Sequence, residues 1–345
     1  MKLLFVCLIA TLRRSQAHLN HAVYAADIAP ISGNSDSATV NGVAVVFEAG
    51  DGVTVGYGGF VDGLGVNLDA SCTGCNIAIH SGTSCQSTTT QNGPLFASPI
   101  TVDPWTEERY VTDEDGSAQF SNVIVVGTRD LEGRAMIVSG ADGTRVGCGL
   151  LEMVNNTRIL HADTLGMGDG TAMGVESESK VILFPNRDDQ VCVGGNIWNL
   201  PGDVESTDCS LSNGCGTTIY SGADCSNATT LGEHYFNVDV VATDPWMEAG
   251  YQATDSSGNA FYVHCLTTGH ASHEGRALVV HSTEGEPQSC GVLEFEAEGE
   301  GDHDEDHGSG GKEDGATSSN GTSISLILTF VLVGLVTIPA TLWRW

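Results

Sequence analysis

The stretch GRALVVHSTEGEPQSCGVLE at 275–294 answers to GRAMIVSGADGTRVGCGLLE at 133–152, with nine of twenty positions identical. Both copies open Gly-Arg-Ala and run through apolar, largely β-branched residues. Both then turn at an acidic-Gly pair and end Cys-Gly-aliphatic-Leu-Glu. The spacing of 142 residues is far longer than the roughly 20–50 residues of a solenoid unit, so the repeat reads as a duplicated domain. One difference matters for chemistry: the apolar run is followed by His281 in the second copy and by Ser139 in the first.

Working outward, strand-like alternation starts near Val43 and resumes after the turn at 48–52, and the same pattern recurs over 181–184 and 191–200. Two cysteine-rich stretches follow, CTGCNIAIHSGTSC at 72–85 and CSLSNGCGTTIYSGADC at 209–225. Each leads to an Asp-Pro-Trp element, at 103–105 and 244–246, whose Trp105 and Trp246 are expected to anchor loops. These echoes place one domain at 38–153 and a second at 180–295. Residues 154–179 read as a linker with an edge strand, and 18–37, lacking a clear period, as a poorly ordered lead-in. Forty-four glycines and few aromatic residues suit short strands joined by tight turns, an all-β fold.

Charge and cysteines bound the setting. A formal charge of −31 argues against nucleic acid as a partner, since phosphate binding needs clustered Lys and Arg. Residues 1–17 read as a secretory signal peptide containing Cys7, with Val23-Tyr24-Ala25 as a second cleavage site. Its removal leaves ten of the eleven cysteines, an even number, in a compartment where disulfides persist. Sequons at Asn155, Asn227 and Asn320 agree with that route. Residues 296–323 form an acidic, low-complexity stalk, in which His303 and His307 are solvated. Residues 324–345 form an apolar anchor. The small residues around 310–319, a polar spacer and the apolar tail fit a GPI-attachment signal, and a transmembrane helix is the alternative. Either form puts the chain on an outer surface, with the membrane as one partner.

The motif Cys-x2-Cys-x-Ile-x-Ile-His-Ser-Gly-Thr-Ser-Cys, the later Gly-Arg-Ala-Leu-Val-Val-His-Ser and the closing Cys-Gly-Val-Leu resemble the Cu/Zn superoxide dismutase superfamily. The resemblance covers about 41–152 and 180–294. It implies two tandem Greek-key β-barrel or sandwich domains of about eight antiparallel strands each. It also implies the disulfides Cys85–Cys148 and Cys225–Cys290. Cys72/Cys75, Cys209/Cys215 and Cys192/Cys265 are candidate pairs for the rest, with connectivity open from sequence alone.

The four histidines that hold the family's copper fall here on Ala78, His80, Pro94 and Ser139, and on Thr218, Tyr220, His234 and His281. One imidazole survives in the first domain and two in the second. The zinc loop's further histidines have no counterpart after His234. The family's arginine near copper falls on Arg145 and on Pro287. Imidazole suits copper, whereas Ala, Pro and Thr side chains offer little. His264, His270 and His273 lie just before Gly275, and His273 is a candidate replacement ligand beside His234 and His281. Arg134 and Arg276 are expected to brace a loop, and Ser139 has no His or Asp partner for nucleophilic work.

Three functions follow as expectations. The leading one is a non-catalytic or weakly copper-binding surface module with an extracellular protein or metal-ion partner. The second is an extracellular copper-dependent dismutase acting on superoxide through the second domain. The third is an adhesive scaffold.

Overall fold

The computed structural model describes residues 21–31, 39–167, 174–209 and 212–295. The expected leader at 1–17, the stalk, the anchor and Asn320 lie outside them. The fold is all-β: two curled antiparallel sheets of eight strands each, with one four-residue α-helical turn at Thr88–Gln91 among the described residues. The first sheet holds β1 (Val23–Pro30), β2 (Asn41–Glu48), β3 (Thr54–Asp62), β4 (Ile77–His80), β5 (Ala118–Val125), β6 (Ala135–Ser139), β7 (Arg145–Leu150) and β8 (Glu152–Met153). Its order is β4-β6-β7-β1-β2-β3-β5, with β8 paired to β1. The second sheet holds β9 (Ile159–Gly166), β10 (Glu176–Leu183), β11 (Gln190–Trp198), β12 (Thr217–Tyr220), β13 (Ala260–Thr267), β14 (Ala277–His281), β15 (Pro287–Val292) and β16 (Glu294–Phe295). Its order, β12-β14-β15-β9-β10-β11-β13 with β16 on β9, repeats the first strand for strand.

The duplicated stretch forms the hairpins β6–β7 and β14–β15, turning at Gly143 (φ +79°) and Gly285 (φ +82°), a backbone state that glycine adopts without steric cost. In both hairpins the register shifts at the end of the first strand, between Val138 and Ser139 and between Val280 and His281. Such a bulge re-aims the side chain that follows it.

Two segments depart from the sequence expectation. The lead-in contains β1, which pairs with β2 and β7, and the strand expected at an edge in the linker, β9, lies instead inside the sheet between β10 and β15. In β1 the inward set Tyr24, Ala26 and Ile28 alternates as a strand should, but small alanines fill both faces and mute the contrast. In β9 the contrast is partly inverted: Thr164 is buried, hydrogen-bonded to Ser177 (2.9 Å) and Ser289 (2.7 Å), while Leu165 is exposed. The first strands of the two sheets therefore begin at Val23 and Ile159, and Val23-Tyr24-Ala25 lies inside β1.

The run Val43-Ala44-Val45-Val46-Phe47 is apolar on both faces because it has two cores to serve. Ala44 and Val46 point into the first sheet's own core with Tyr57, Trp105 and Leu151. Val43, Val45 and Phe47 point outward into a third core, shared with Ile182, Phe184, Cys192, Val263 and Cys265 of the second half. The two sheets thus join back to back. A β-carbon added at Gly56 would come within 2.1 Å of Val263 Cγ2, so glycine there is what lets the sheets approach. The seam also carries the Arg187–Asp62 ion pair (2.5 Å), Lys180 Nζ donating to the His21 carbonyl (2.5 Å) and Gly50 N–H donating to Asn196 Oδ1 (3.3 Å).

Five disulfides close within the halves: Cys72–Cys75, Cys85–Cys148, Cys192–Cys265, Cys209–Cys215 and Cys225–Cys290. Cys85–Cys148 and Cys225–Cys290 span 63 and 65 residues. Each restricts the unfolded chain by about 4 kcal/mol in a loop-entropy picture. Five bonds of this kind suit an oxidising, extracellular environment. No helix among the described residues is long and apolar enough to cross a membrane.

Candidate functional site

Strand β4 ends at His80 and its counterpart β12 at Tyr220. Each is bridged to the next loop, His80 to Pro94 and Tyr220 to His234. The bulged residues Ser139 and His281 stand on the adjacent strands, opposite Arg145 and Pro287. The positions that the sequence singled out thus share one pair of strands in each sheet, but His80 and Tyr220 pair with Ala135 and Ala277 while Ser139 and His281 lie at the far end beside Asn76 and Gly216, so only long side chains span between them.

In the first half the space is occupied by a guanidinium. Arg145 Nη1 donates to Gln91 Oε1 (2.9 Å) and the Thr88 carbonyl (3.1 Å), and Nη2 donates to the Asn92 carbonyl (2.9 Å). His80 Nδ1 donates to that same Asn92 carbonyl (2.9 Å). Burial holds the His80 imidazole below its usual pKa, although the Asn92 hydrogen bond opposes the shift. Ser139 contributes its carbonyl, which accepts from Tyr110 Oη (2.6 Å). Ala78 lies in the core. This end of the sheet is a braced loop, and Gln91, fully buried within it, was not singled out by sequence reasoning.

In the second half four side chains form a chain. Asp244 Oδ2 lies 2.6 Å from His234 Nδ1, His234 Nε2 lies 3.3 Å from Tyr220 Oη, and Tyr220 Oη lies 2.9 Å from His281 Nε2. His281 Nδ1 completes it at the Gly216 carbonyl (3.2 Å). His281 is fully buried, and burial pushes its imidazole down to about 4 against the opposing effect of the Gly216 hydrogen bond, with His234 lowering it further. Burial, reinforced by Asp244 and Glu233, pushes the Tyr220 phenol up to about 12. A neutral His281 that donates from Nδ1 to a carbonyl must accept at Nε2, so Tyr220 donates to it. The Tyr220 oxygen can then accept from His234.

Asp244 does two jobs. Its Oδ1 caps the turn Pro245–Glu248 by accepting from the Trp246 N–H (2.9 Å), as Asp103 does for Trp105 (2.9 Å). Its other oxygen meets His234. In the first half Pro94 stands where His234 would be, so Asp103 has no imidazole to orient. The sequence signal for this role was present, since Asp-Pro-Trp recurs, but it reads equally as a loop anchor. Trp105 and Trp246 are indeed buried, with their indole N–H groups on the Leu95 and Tyr235 carbonyls (2.9 Å each).

His273 sits apart from this chain. It is fully buried, its Nε2 lies 3.2 Å from Thr268 Oγ1, and its ring meets Tyr235 edge-on at 5.3 Å. Burial, with His270 and Arg276 nearby, pushes it down to about 4. Tyr235 also stacks on His270 at 4.1 Å and under the Arg276 guanidinium at 4.4 Å. None of the hydrogen bonds or ring contacts of His273 reaches His234 or His281. His264 is separate again, held by the Gly250 carbonyl (2.9 Å). Arg134 donates to the Ser81 carbonyl (2.5 Å) and pairs with Asp130, and Arg276 donates to the matching Ser221 carbonyl. Both sequons that fall on described residues, Asn155 and Asn227, are exposed.

The donors that converge in the second half are two imidazoles and a phenol, and Thr218 two residues before Tyr220 is fully buried. They do not fit a four-imidazole copper centre. Among the described residues no group of three or more His, Cys, Asp or Glu side chains is placed to hold a metal ion. No model of a known family matches the sequence, and no characterised protein matches it.

Proposed function

We propose that the chain is an extracellular surface module built from two domains of the Cu/Zn superoxide dismutase type, with the Greek-key connection that type implies. In this reading the metal positions have been taken over by protein hydrogen bonds, so the module is non-catalytic or binds copper only weakly. The observation that carries it is the Tyr220 hydroxyl, which occupies the point toward which His234 Nε2 and His281 Nε2 both turn. A phenol held protonated up to about 12 makes a poor ligand, and it engages the nitrogens that copper would need. Attachment through 324–345 and glycosylation at Asn155, Asn227 and Asn320 complete the surface reading.

The test is copper and zinc stoichiometry after copper loading and dialysis against a mild chelator. The module reading expects near-zero retained metal in the wild-type chain.

The convergence of two imidazoles on one point also favours a second reading, a copper-dependent dismutase working through the second domain. One retained copper per chain, lost with His281→Ala together with superoxide consumption, would establish it and overturn the first.

A further inference from the structure

The seam between the sheets opens at one end into a cleft of about 540 Å³, walled by Asp27 and Asn41 of the first half and by Arg158 and the Phe184–Gln190 turn of the second. A depression of about 220 Å³ shares Arg158 and Arg187 with it, and another of about 550 Å³ shares Asp62 and Gln190. Three hollows therefore run together around the Arg187–Asp62 ion pair. We propose that this seam cleft is a binding site for a small hydroxylated carboxylate, of the uronic-acid class of sugars.

Basic residues are scarce: the whole chain has only 13 Lys and Arg against 44 Asp and Glu, yet two arginines line this one cleft. Arg187 is committed, its guanidinium shared between Asp62 Oδ2 (2.5 Å) and Gln190 Oε1 (3.1 Å). Arg158 is aimed but open. Its Nε donates to the Leu183 carbonyl (3.3 Å), and its terminal nitrogens take no partner among the described residues. A guanidinium fixed at Nε with its terminal N–H groups free presents the planar fork that recognises a carboxylate.

The remaining walls narrow the class. Asp27 and Asp189 are exposed carboxylates, and they would repel a polyanion while accepting hydrogen bonds from hydroxyl groups. Asn41 adds both a donor and an acceptor. One carboxylate with several hydroxyls satisfies Arg158 and these groups together, and the volume suits one or two sugar rings.

This site deepens the surface-module reading and rests on it, but the copper measurement tests that reading alone, so the two can fail separately. The experiment titrates glucuronate, its methyl ester, glucose and glycine into the full chain, followed by calorimetry or ligand-observed NMR. Saturable glucuronate binding is expected. The ester and glucose should bind at least tenfold more weakly, and Arg158→Gln should lose at least tenfold with an unchanged unfolding midpoint. Arg158→Lys should fall between. If Arg158→Gln fails to fold, Asp27→Leu on the opposite wall should still weaken glucuronate. Equal binding of glucose and glucuronate, indifference to both substitutions, preference for glycine, or no saturable binding would each overturn the proposal.

Discussion

Tyr220 Oη and His281 Nε2 lie 2.9 Å apart inside the second sheet, on adjacent strands, with His281 fully buried. That bond makes Tyr220 the hub of the second site, because the same oxygen also meets His234 Nε2. Tyr220→Phe keeps the ring and deletes the hub. A buried imidazole nitrogen left without its partner costs about 1–3 kcal/mol, so the urea midpoint should fall accordingly. The same change frees two converging nitrogens, and copper retention should rise. A variant as stable as wild type would remove the hub role.

Acid should weaken the fold earlier than carboxylate protonation alone would. His264, His273 and His281 are each pushed by burial from 6.5 down to about 4. Above pH 6.5 both folded and unfolded states hold them neutral. Between about 6.5 and 4 the unfolded chain binds protons that the folded chain refuses, so stability falls as pH falls. The slope approaches ~1.4 kcal/mol per pH unit for each histidine. Urea midpoints at pH 7, 6 and 5 check this, and His264→Gln should flatten the slope.

The seam predicts cooperative unfolding of the two halves. Gly56→Val would push new atoms into Val263, whose Cγ2 already lies within 2.1 Å of where a β-carbon would go. Overpacking of this kind costs about 1–3 kcal/mol or more. Calorimetry should show one transition in the wild type and two in the variant, as the shared core loosens before the separate cores do.

Arg145→Gln should act locally. The guanidinium donates to Thr88 O, Gln91 Oε1 and Asn92 O, and so pins the only α-helical turn among the described residues. Amide exchange at Thr90 and Gln91 should accelerate well before the sheet is affected. Unchanged exchange would show that the turn holds without its brace.

The duplicated hairpin, the doubled cysteine stretches and the Asp-Pro-Trp elements were legible because they are local and repeated. The 43–47 run reads as an alternating strand, and the structure shows instead that both its faces are apolar, the second serving the other half. β1, and the place of β9 inside its sheet, were hidden because period-2 reading depends on contrast between faces. Alanines erase that contrast in one strand, and a buried Thr164 beside an exposed Leu165 reverses it in the other. At the site, the sequence singled out His80, His234 and His281 as the candidate imidazoles. It did not show that Tyr220 and Asp244 would join His234 and His281 into one hydrogen-bonded chain, since that depends on loops meeting across the sheet.

The place of β1 bears on how the chain can be made. Its residues are synthesised before any other strand, yet its partner β7 begins at Arg145, some 115 residues later, and β8 follows that. Until that length has emerged, β1 has only β2 beside it, and one of its edges stays open to any passing chain. The second half repeats the delay, with β9 waiting for β15. A stall in either half would expose a sheet missing β7 or β15, the strand that joins its first-made strands to β4-β6 or β12-β14.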